Sequence, residues 1–156
     1  MAKTKSKAMD AIKLLKADHD EVKQAFKEFE AMDPEDTAEM EELVTTVCEA
    51  LKAHATVEEE IFYPAVRAAI QDDDLMNEAQ VEHDSARDLI EHLEGMDATD
   101  PMYHATFKVL CEYVLHHAKE EEDEMFPSAQ KAELDLEQLG EQIRARKDEL
   151  TEAEAV

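Results

Sequence analysis

Four long stretches of the chain carry apolar residues at alternating intervals of three and four, the pattern of helices that bury one face. In the first stretch the pattern is unbroken only when His19 is counted with the apolar residues. In the second stretch it includes both His54 and Glu58, so ionisable side chains occupy positions that a packed core normally gives to leucine. Together with a weaker fifth stretch, the pattern predicts helices over about 6–32, 36–64, 75–96, 101–125 and 134–150.

The second half of the chain repeats the first at an offset of 63 or 64 residues. The repeat keeps the ionisable residues of the buried faces and the proline that follows them. Proline lacks a backbone N–H, so Pro64 is expected to kink the second helix, or to end it with a short continuation through Ile70. The matched pairs are His19 and His83, His54 and His117, Glu58 and Glu121, and Pro64 and Pro127.

Carboxylates and histidines at core positions need a compensating partner, because an isolated buried charge costs several kcal/mol. Two carboxylates and four imidazoles without compensation would remove a large share of the roughly 5–15 kcal/mol that keeps a domain folded. A metal-free hydrogen-bonded network is the alternative, but it requires every member to be paired. A pair of metal cations satisfies all six groups most simply and converts the penalty into stabilisation.

We predict an all-α fold, an up-down-up-down four-helix bundle with an additional C-terminal helix. Two glycines and four prolines leave few turns, and the clusters of β-branched and aromatic residues that indicate strands are missing. The bundle is expected to occupy residues 1–130, with residues 131–156 as a helical extension that packs on the bundle or mediates association. In this topology the sequence repeat becomes a pseudo-two-fold axis, and the two buried His-x-x-x-Glu pairs face each other.

A histidine and a glutamate four residues apart lie one above the other on a helix. Each glutamate has two oxygens with which to bridge two cations, and two histidines remain for each cation. Mixed nitrogen and oxygen ligands of this kind suit iron, with manganese or zinc as competitors. The candidate metal ligands are His19, His54, Glu58, His83, His117 and Glu121.

The order and spacing of these six residues resemble those of the hemerythrin-like, or HHE cation-binding, domains. Ferritin-like di-iron bundles differ, because they place the glutamate first and the histidine three residues later. The resemblance covers about residues 7–127. It implies a four-helix bundle around a non-haem centre of two iron ions, joined by an oxo or hydroxo bridge, that reacts with dioxygen and related small molecules.

One position departs from the oxygen-carrying members of that family, which have a second histidine on the third helix where this chain has Arg87. Arginine cannot act as a ligand, so its charge is expected to favour an anionic adduct or to pair with a carboxylate. The resemblance therefore implies binding of, or reaction with, dioxygen, peroxide or nitric oxide, as stress protection that includes catalase-like activity. The alternatives are a non-catalytic oxygen or nitric oxide sensor or carrier, and an iron storage or donation protein.

The remaining histidines are interpreted as residues outside the site. His116 lies about 100° around the helix from His117, so it is expected to be partly exposed. His92 and His104 are expected on the surface. Cys48 and Cys111 match by the repeat, and each is expected to behave as a small buried hydrophobe. Packing roles, with one hydroxyl free to approach the metal, are expected for Tyr63, Tyr103 and Tyr113.

The 156 residues carry a formal net charge of −25, which argues against nucleic acid and anionic membranes as partners. The acidic runs at 58–60 and 120–124 are each expected to turn one carboxylate inward and the others toward solvent. No apolar run follows the basic segment 1–7, and no stretch approaches the length of a membrane span. We therefore expect a cytoplasmic monomer or homodimer whose partner is a small-molecule ligand.

Overall fold

The computed structural model describes residues 10–155, and side chains as far as Glu152. Over these residues the protein is helical without strands, and the predicted all-α class is confirmed. The predicted start of the first helix near Ser6 lies outside the described residues. The helices are α1 (Ala11–Ala31), α2 (Thr37–Val57), α3 (Tyr63–Ile70), α4 (Asp73–Glu94), α5 (Pro101–Glu120), α6 (Phe126–Lys131) and α7 (Leu136–Ala155).

Helices α1, α2, α4 and α5 form the bundle. Each packs against the two helices beside it, so α1 and α4 lie diagonally opposite each other, as do α2 and α5. Every bundle helix begins after an aspartate whose carboxylate accepts a hydrogen bond from the first turn, which satisfies one backbone N–H that the helix leaves free. These capping residues are Asp10, Asp36, Asp72 and Asp100.

Both halves of the bundle contain a π-helical turn where sequence periodicity predicts plain α-helix. The turns span Glu58–Phe62, between α2 and α3, and Glu121–Met125, between α5 and α6. In the first, the N–H of Tyr63 donates to the carbonyl of Glu58 five residues back. A wider turn accommodates Pro64, whose ring would clash with the carbonyl of the preceding turn in a regular helix.

The extra residue in this turn shifts the buried face by one position. Continued by three residues after Glu58, the pattern of intervals that predicts the second helix would bury Ile61, but Ile61 is only half-buried. Phe62 and Tyr63 are buried in its place, with 0% and 6% of their surface exposed. The regular period of 3.6 residues therefore fails at the π-helical turn that begins at the candidate ligand Glu58.

Two apolar clusters fill the bundle, and the ionisable residues lie between them. One cluster includes Phe29, Val47 and Phe107, and the other includes Leu15 and Phe126. The polar layer is therefore closed off from water along the bundle axis, which strengthens any charge interaction within it.

Helix α7 packs across α1 and α2 and buries Ile143 completely. Two ion pairs hold it in place: Arg146 Nε lies 2.9 Å from a carboxylate oxygen of Glu60, and Lys147 Nζ lies 2.6 Å from Asp18 Oδ1. In the described part of the chain, none of the helices has both the length and the apolar composition that crossing a membrane requires.

Candidate metal centre

The structure brings all six candidate ligands together in the core, although they come from four helices and two turns. Helices α1, α2, α4 and α5 each contribute one histidine, and each π-helical turn begins at one glutamate. The two carboxylates are the most deeply buried, with 0% of Glu58 and 1% of Glu121 exposed.

The six residues form two groups that share both glutamates. Within each group, one candidate donor atom per residue lies within 4.8 Å of the others. We call these the His19 group, which is His19, His54, Glu58 and Glu121, and the His83 group, which is His83, His117, Glu58 and Glu121.

Each glutamate turns one oxygen toward each group. Glu58 Oε2 lies 3.4 Å from His54 Nε2, and Glu58 Oε1 lies 2.9 Å from His83 Nε2. Glu121 Oε1 lies 3.1 Å from His19 Nε2, and Glu121 Oε2 lies 3.3 Å from His117 Nε2. Two carboxylates that divide their oxygens in this way are arranged to bridge a pair of cations, with two imidazole nitrogens for each cation.

One atom of this arrangement lacks a partner. Among the described residues, Glu58 Oε2 is the buried side-chain oxygen or nitrogen that takes part in no hydrogen bond. Its 3.4 Å separation from His54 Nε2 is within ion-pair distance, but that nitrogen does not donate to it. An unsatisfied carboxylate oxygen in an apolar core is costly, and a cation between these two atoms would satisfy it. The residues present therefore fit a metal pair.

Each of the four histidines has a carboxylate hydrogen-bonded to Nδ1, the ring nitrogen that faces away from the centre. His19 Nδ1 donates to Glu122, His54 Nδ1 to Asp18 and His83 Nδ1 to Glu59, each over 2.7 Å, and His117 Nδ1 donates to Glu82. This contact fixes the ring so that Nε2 points into the centre, which is the arrangement that metal-binding histidines commonly have.

These outer carboxylates were not predicted from the sequence, and the expectation that the acidic runs turn all but one member to solvent is wrong for Glu59 and Glu122. Both are partly buried, with 22% and 27% of their side chains exposed. The repeat carried the signal, since each of them directly follows a candidate ligand in its own half. Asp18 and Glu82 likewise each precede a histidine by one residue.

Tyr63 occupies the centre of the His83 group. Its single hydroxyl hydrogen is shared between two acceptors, Glu58 Oε1 at 3.2 Å and a carboxylate oxygen of Glu121. The hydroxyl oxygen lies 3.1 Å from Nε2 of both His83 and His117. Tyr63 was interpreted from the sequence as a packing residue, with one of the three tyrosines free to approach the site, and its hydroxyl lies among the candidate ligands.

The π-helical turn explains why periodicity could not find Tyr63. In a regular helix a residue five positions after Glu58 points to a different face, whereas the wider turn brings it back over that glutamate. At the matching position of the second half stands Phe126, which stacks on His19 with ring centroids 6.0 Å apart. The two groups therefore have the same kinds of ligand but differ in this neighbour.

The carboxylates determine the protonation of the centre in the metal-free protein. Burial alone would lower the pKa of His54, but the charge of Glu58 and the hydrogen bond to Asp18 raise that pKa well above its usual range. Burial would also lower the pKa of His117, but the hydrogen bond to Glu121 and the charge of Glu121 outweigh this effect and raise that pKa to about 9. Conversely, burial would raise the pKa of Glu58, but His54 holds it well below its usual range. Charged pairs thus occupy the centre, and a cation would replace the protons.

Residues around the centre largely follow the sequence expectations. Arg87 pairs with Glu59, the carboxylate behind His83, so its charge is directed to a carboxylate. His116 is exposed over 66% of its side chain, as expected, while His104 is half-buried against the ring of Phe29. Of the remaining predicted residues, His92 is exposed, and Cys48 and Cys111 are buried free thiols.

The chain is similar in sequence to a longer known protein and in structure to a solved protein. A DNA nickase from Nostoc sp. (strain PCC 7120) is 26% identical over 113 residues. The match covers 72% of this chain but 31% of the nickase, so the chain spans about a third of that longer protein. The crystal structure of a hemerythrin HHE cation binding domain-containing protein from Mycobacterium kansasii superimposes with a TM-score of 0.80 at 25% identity. The superimposed region covers 93% of this chain and 89% of the Mycobacterium kansasii chain.

The model of the hemerythrin HHE cation binding domain matches residues 10–129, which include both groups and all four bundle helices. This match extends over well more than half of the chain, and the structural likeness covers the same bundle. The protein therefore belongs to the hemerythrin HHE cation-binding family.

Proposed function

We propose that the protein holds two iron ions, one in the His19 group and one in the His83 group, and that this centre reacts with hydrogen peroxide. In this proposal Glu58 and Glu121 bridge the ions, and each pair of histidines supplies the terminal ligands. The partly satisfied Glu58 and the division of carboxylate oxygens between the groups support it.

The donor set favours iron over its competitors. Each ion would receive two imidazole nitrogens and two carboxylate oxygens, a mixture that suits iron and tolerates manganese or zinc. Four protein ligands leave further positions free for water or a small molecule. When bound, a pair of iron ions supplies or accepts the two electrons that a peroxide exchanges.

The hydroxyl of Tyr63 is the single observation that favours peroxide chemistry over reversible binding. Cleavage of an O–O bond requires protons, and this hydroxyl lies among the candidate ligands within hydrogen-bond distance of four of them. In the metal-free protein, burial, together with the charges of Glu58 and Glu121, raises the pKa of this phenol well above the usual range. A proton donor held at this point would serve as a general acid.

Net charge also discriminates among reactants. A chain of −25 attracts the metal cations but repels anions, so neutral molecules such as hydrogen peroxide reach the centre more readily than superoxide. The same charge disfavours nucleic acid as a partner of this chain, and the nickase activity named for the Nostoc protein is a property of that longer protein. A cytoplasmic location fits a role in peroxide removal.

Metal analysis of the purified full chain, followed by a peroxide assay, tests the proposal. We expect two irons per chain, an ultraviolet–visible spectrum that changes on addition of peroxide, and turnover above that of the same amount of free iron. A chain without iron, or one that forms a stable dioxygen or nitric oxide adduct but does not consume peroxide, would overturn it.

A further inference from the structure

The pseudo-symmetry of the ligands does not extend to the space beside them. A cavity of about 390 Å³ opens onto His19 and His54, whereas its counterpart beside His83 measures about 40 Å³. The two cavities are related by the repeat, because the residues nearest the ligands correspond. The corresponding lining residues are Val22 and Ala86, Leu51 and Val114, and Asp18 and Glu82.

Side-chain size at one pair of matching positions follows the difference in volume, because Ala50 lines the larger cavity and Tyr113 lines the smaller one. The larger cavity is lined by Ala25 and Ala50, and the repeat places Leu89 and Tyr113 at the matching positions of the other half. Tyr113 lines the smaller cavity, which is further closed by Arg87. The first half thus keeps open a space that the second half fills with side chains.

The volume of the larger cavity exceeds what hydrogen peroxide or dioxygen requires. A cavity of about 150 Å³ with apolar walls is enough to bind benzene, and small-molecule sites range over about 300–1,000 Å³. The counterpart of about 40 Å³ has room for only a few waters. The larger cavity therefore has the dimensions of a site for an organic molecule.

Its lining defines the kind of molecule that fits. The walls are apolar, with Val22, Leu43, Val47 and Val114 among them, while the inner end presents the imidazoles of the metal centre. The outer rim carries Asp18, Glu21 and Glu49, and the one lysine there, Lys147, is already paired with Asp18. An acidic rim repels a carboxylate, so the fitting molecule has an apolar body and no negative charge.

We infer that this cavity binds a neutral organic hydroperoxide, with its apolar body against α1 and α2 and its O–O group at the inner end beside His19 and His54. The inference rests on the proposed function, because it names a substrate class for the same centre. Reduction breaks the O–O bond and yields an alcohol and water. It consumes two electrons, which iron held by the two groups would supply and which a thiol, the reductant of the peroxide assay, would restore, and two protons, which come ultimately from solvent.

Binding of the product alcohol tests the site without relying on turnover. The full chain as purified is titrated by calorimetry with 2-phenylpropan-2-ol, the alcohol formed from cumene hydroperoxide. We expect saturable binding of one molecule per chain. The variants Ala50→Tyr and Ala25→Leu introduce the side chains that the second half carries, and each should weaken binding by about tenfold or more, since the apolar contact space is filled.

The matched control is Thr45→Tyr, which adds the same ring on the exposed face of α2, outside the cavity. It should leave binding unchanged, and thermal melts of all three variants establish that they fold. In the peroxide assay, the ratio of kcat/KM for cumene hydroperoxide to that for hydrogen peroxide should fall by about tenfold in Ala50→Tyr and Ala25→Leu and stay constant in Thr45→Tyr.

The outcomes separate this inference from the proposed function. Absence of alcohol binding, or binding that both folded cavity variants retain at full strength, overturns the inference even if the protein decomposes hydrogen peroxide. Binding that the two variants weaken, in a chain that fails to consume hydrogen peroxide, supports the cavity and overturns the proposed peroxide chemistry.

Discussion

The bundle is open around the His19 group, where a large cavity lies beside the imidazoles and Phe126 stacks on His19. It is closed around the His83 group, where the space is filled by Tyr63, Tyr113 and Arg87. The inner ligands and the outer carboxylates are nevertheless duplicated. Under the proposed function, the ligands of each group must satisfy the coordination geometry of a cation, whereas their neighbours are free to diverge. The duplicated residues are then the candidates for metal binding, and the divergent neighbours are the candidates for setting reactivity.

The strongest test of the shared part is removal of a shared glutamate. Because each glutamate contributes an oxygen to both groups, Glu121→Ala should abolish binding of both ions, and Glu58→Ala should do the same. Metal content after purification measures this. Glu124→Ala, an exposed member of the same acidic run, is the control and should retain both ions. Loss of one ion in Glu121→Ala would contradict the bridging role.

The folding stability of the metal-free protein should depend on pH in a way that the stability of the metal-loaded protein does not. A folded-state pKa of about 9 for His117, above the ordinary 6.5, means that its charge pair contributes fully below about pH 6.5 and is lost as pH rises through about 9. This difference between the two pKa values corresponds to about 3 kcal/mol in the free energy of unfolding.

Chemical denaturation at a series of pH values checks this expectation. The metal-free chain should lose stability between about pH 6.5 and 9, while the loaded chain should not, because metal ions bind the unprotonated imidazoles. A metal-free protein whose stability rises over this range would contradict the assigned charge pairs.

Making the two groups alike at one position tests the role of Tyr63. Tyr63→Phe removes the hydroxyl and reproduces the Phe126 side chain of the other half, so peroxide turnover should fall by about 100-fold while the metal content stays at two ions. Steady-state kinetics with parallel metal analysis measures both. Unchanged turnover in a fully loaded variant would remove the hydroxyl from the chemistry.

The outer carboxylates should act on one ion each. Asp18→Ala releases His54 and should weaken the ion of the His19 group by about 10–100-fold, and Glu82→Ala should do the same for the other ion through His117. Titration against a competing chelator resolves the two affinities. Asp20→Ala, which changes an exposed carboxylate beside His19 in the sequence, should leave both affinities unchanged.

The smallest effect is expected for substitution of Lys147, the residue of α7 that forms an ion pair with Asp18. Lys147→Met removes a partly exposed ion pair, which is worth at most about 1 kcal/mol, so the affinity of the His19-group ion should weaken by no more than about fivefold. The same chelator titration measures it, with the exposed Lys23→Met as control. A much larger loss would mean that α7 is required to form the site.

Much of this arrangement could be predicted from the sequence. The alternation of three and four revealed that His54 and Glu58 share the buried face, and the repeat selected His117 over the adjacent His116. Both inferences depend only on helical periodicity and on pairing within the chain, and the structure places these residues in the core as expected. Predictions about which metal and which reactant bind stay predictions.

The parts that could not be predicted depend on local geometry that periodicity does not contain. Tyr63 reaches the centre only because a π-helical turn adds a residue after Glu58. Glu59 reaches His83 across helices because a partly buried glutamate is long enough to bend back from the surface. The cavity beside His54 depends on the sizes of side chains from four helices, which no single stretch of sequence reports.

The most direct test of the central claim, that two shared glutamates hold a pair of cations in the core, is anaerobic titration of the metal-free full chain with ferrous iron. We predict saturation at two ions per chain, in two steps of unequal affinity because Tyr63 faces one group and Phe126 the other. Saturation at a single ion, or the absence of saturable binding, would contradict the account.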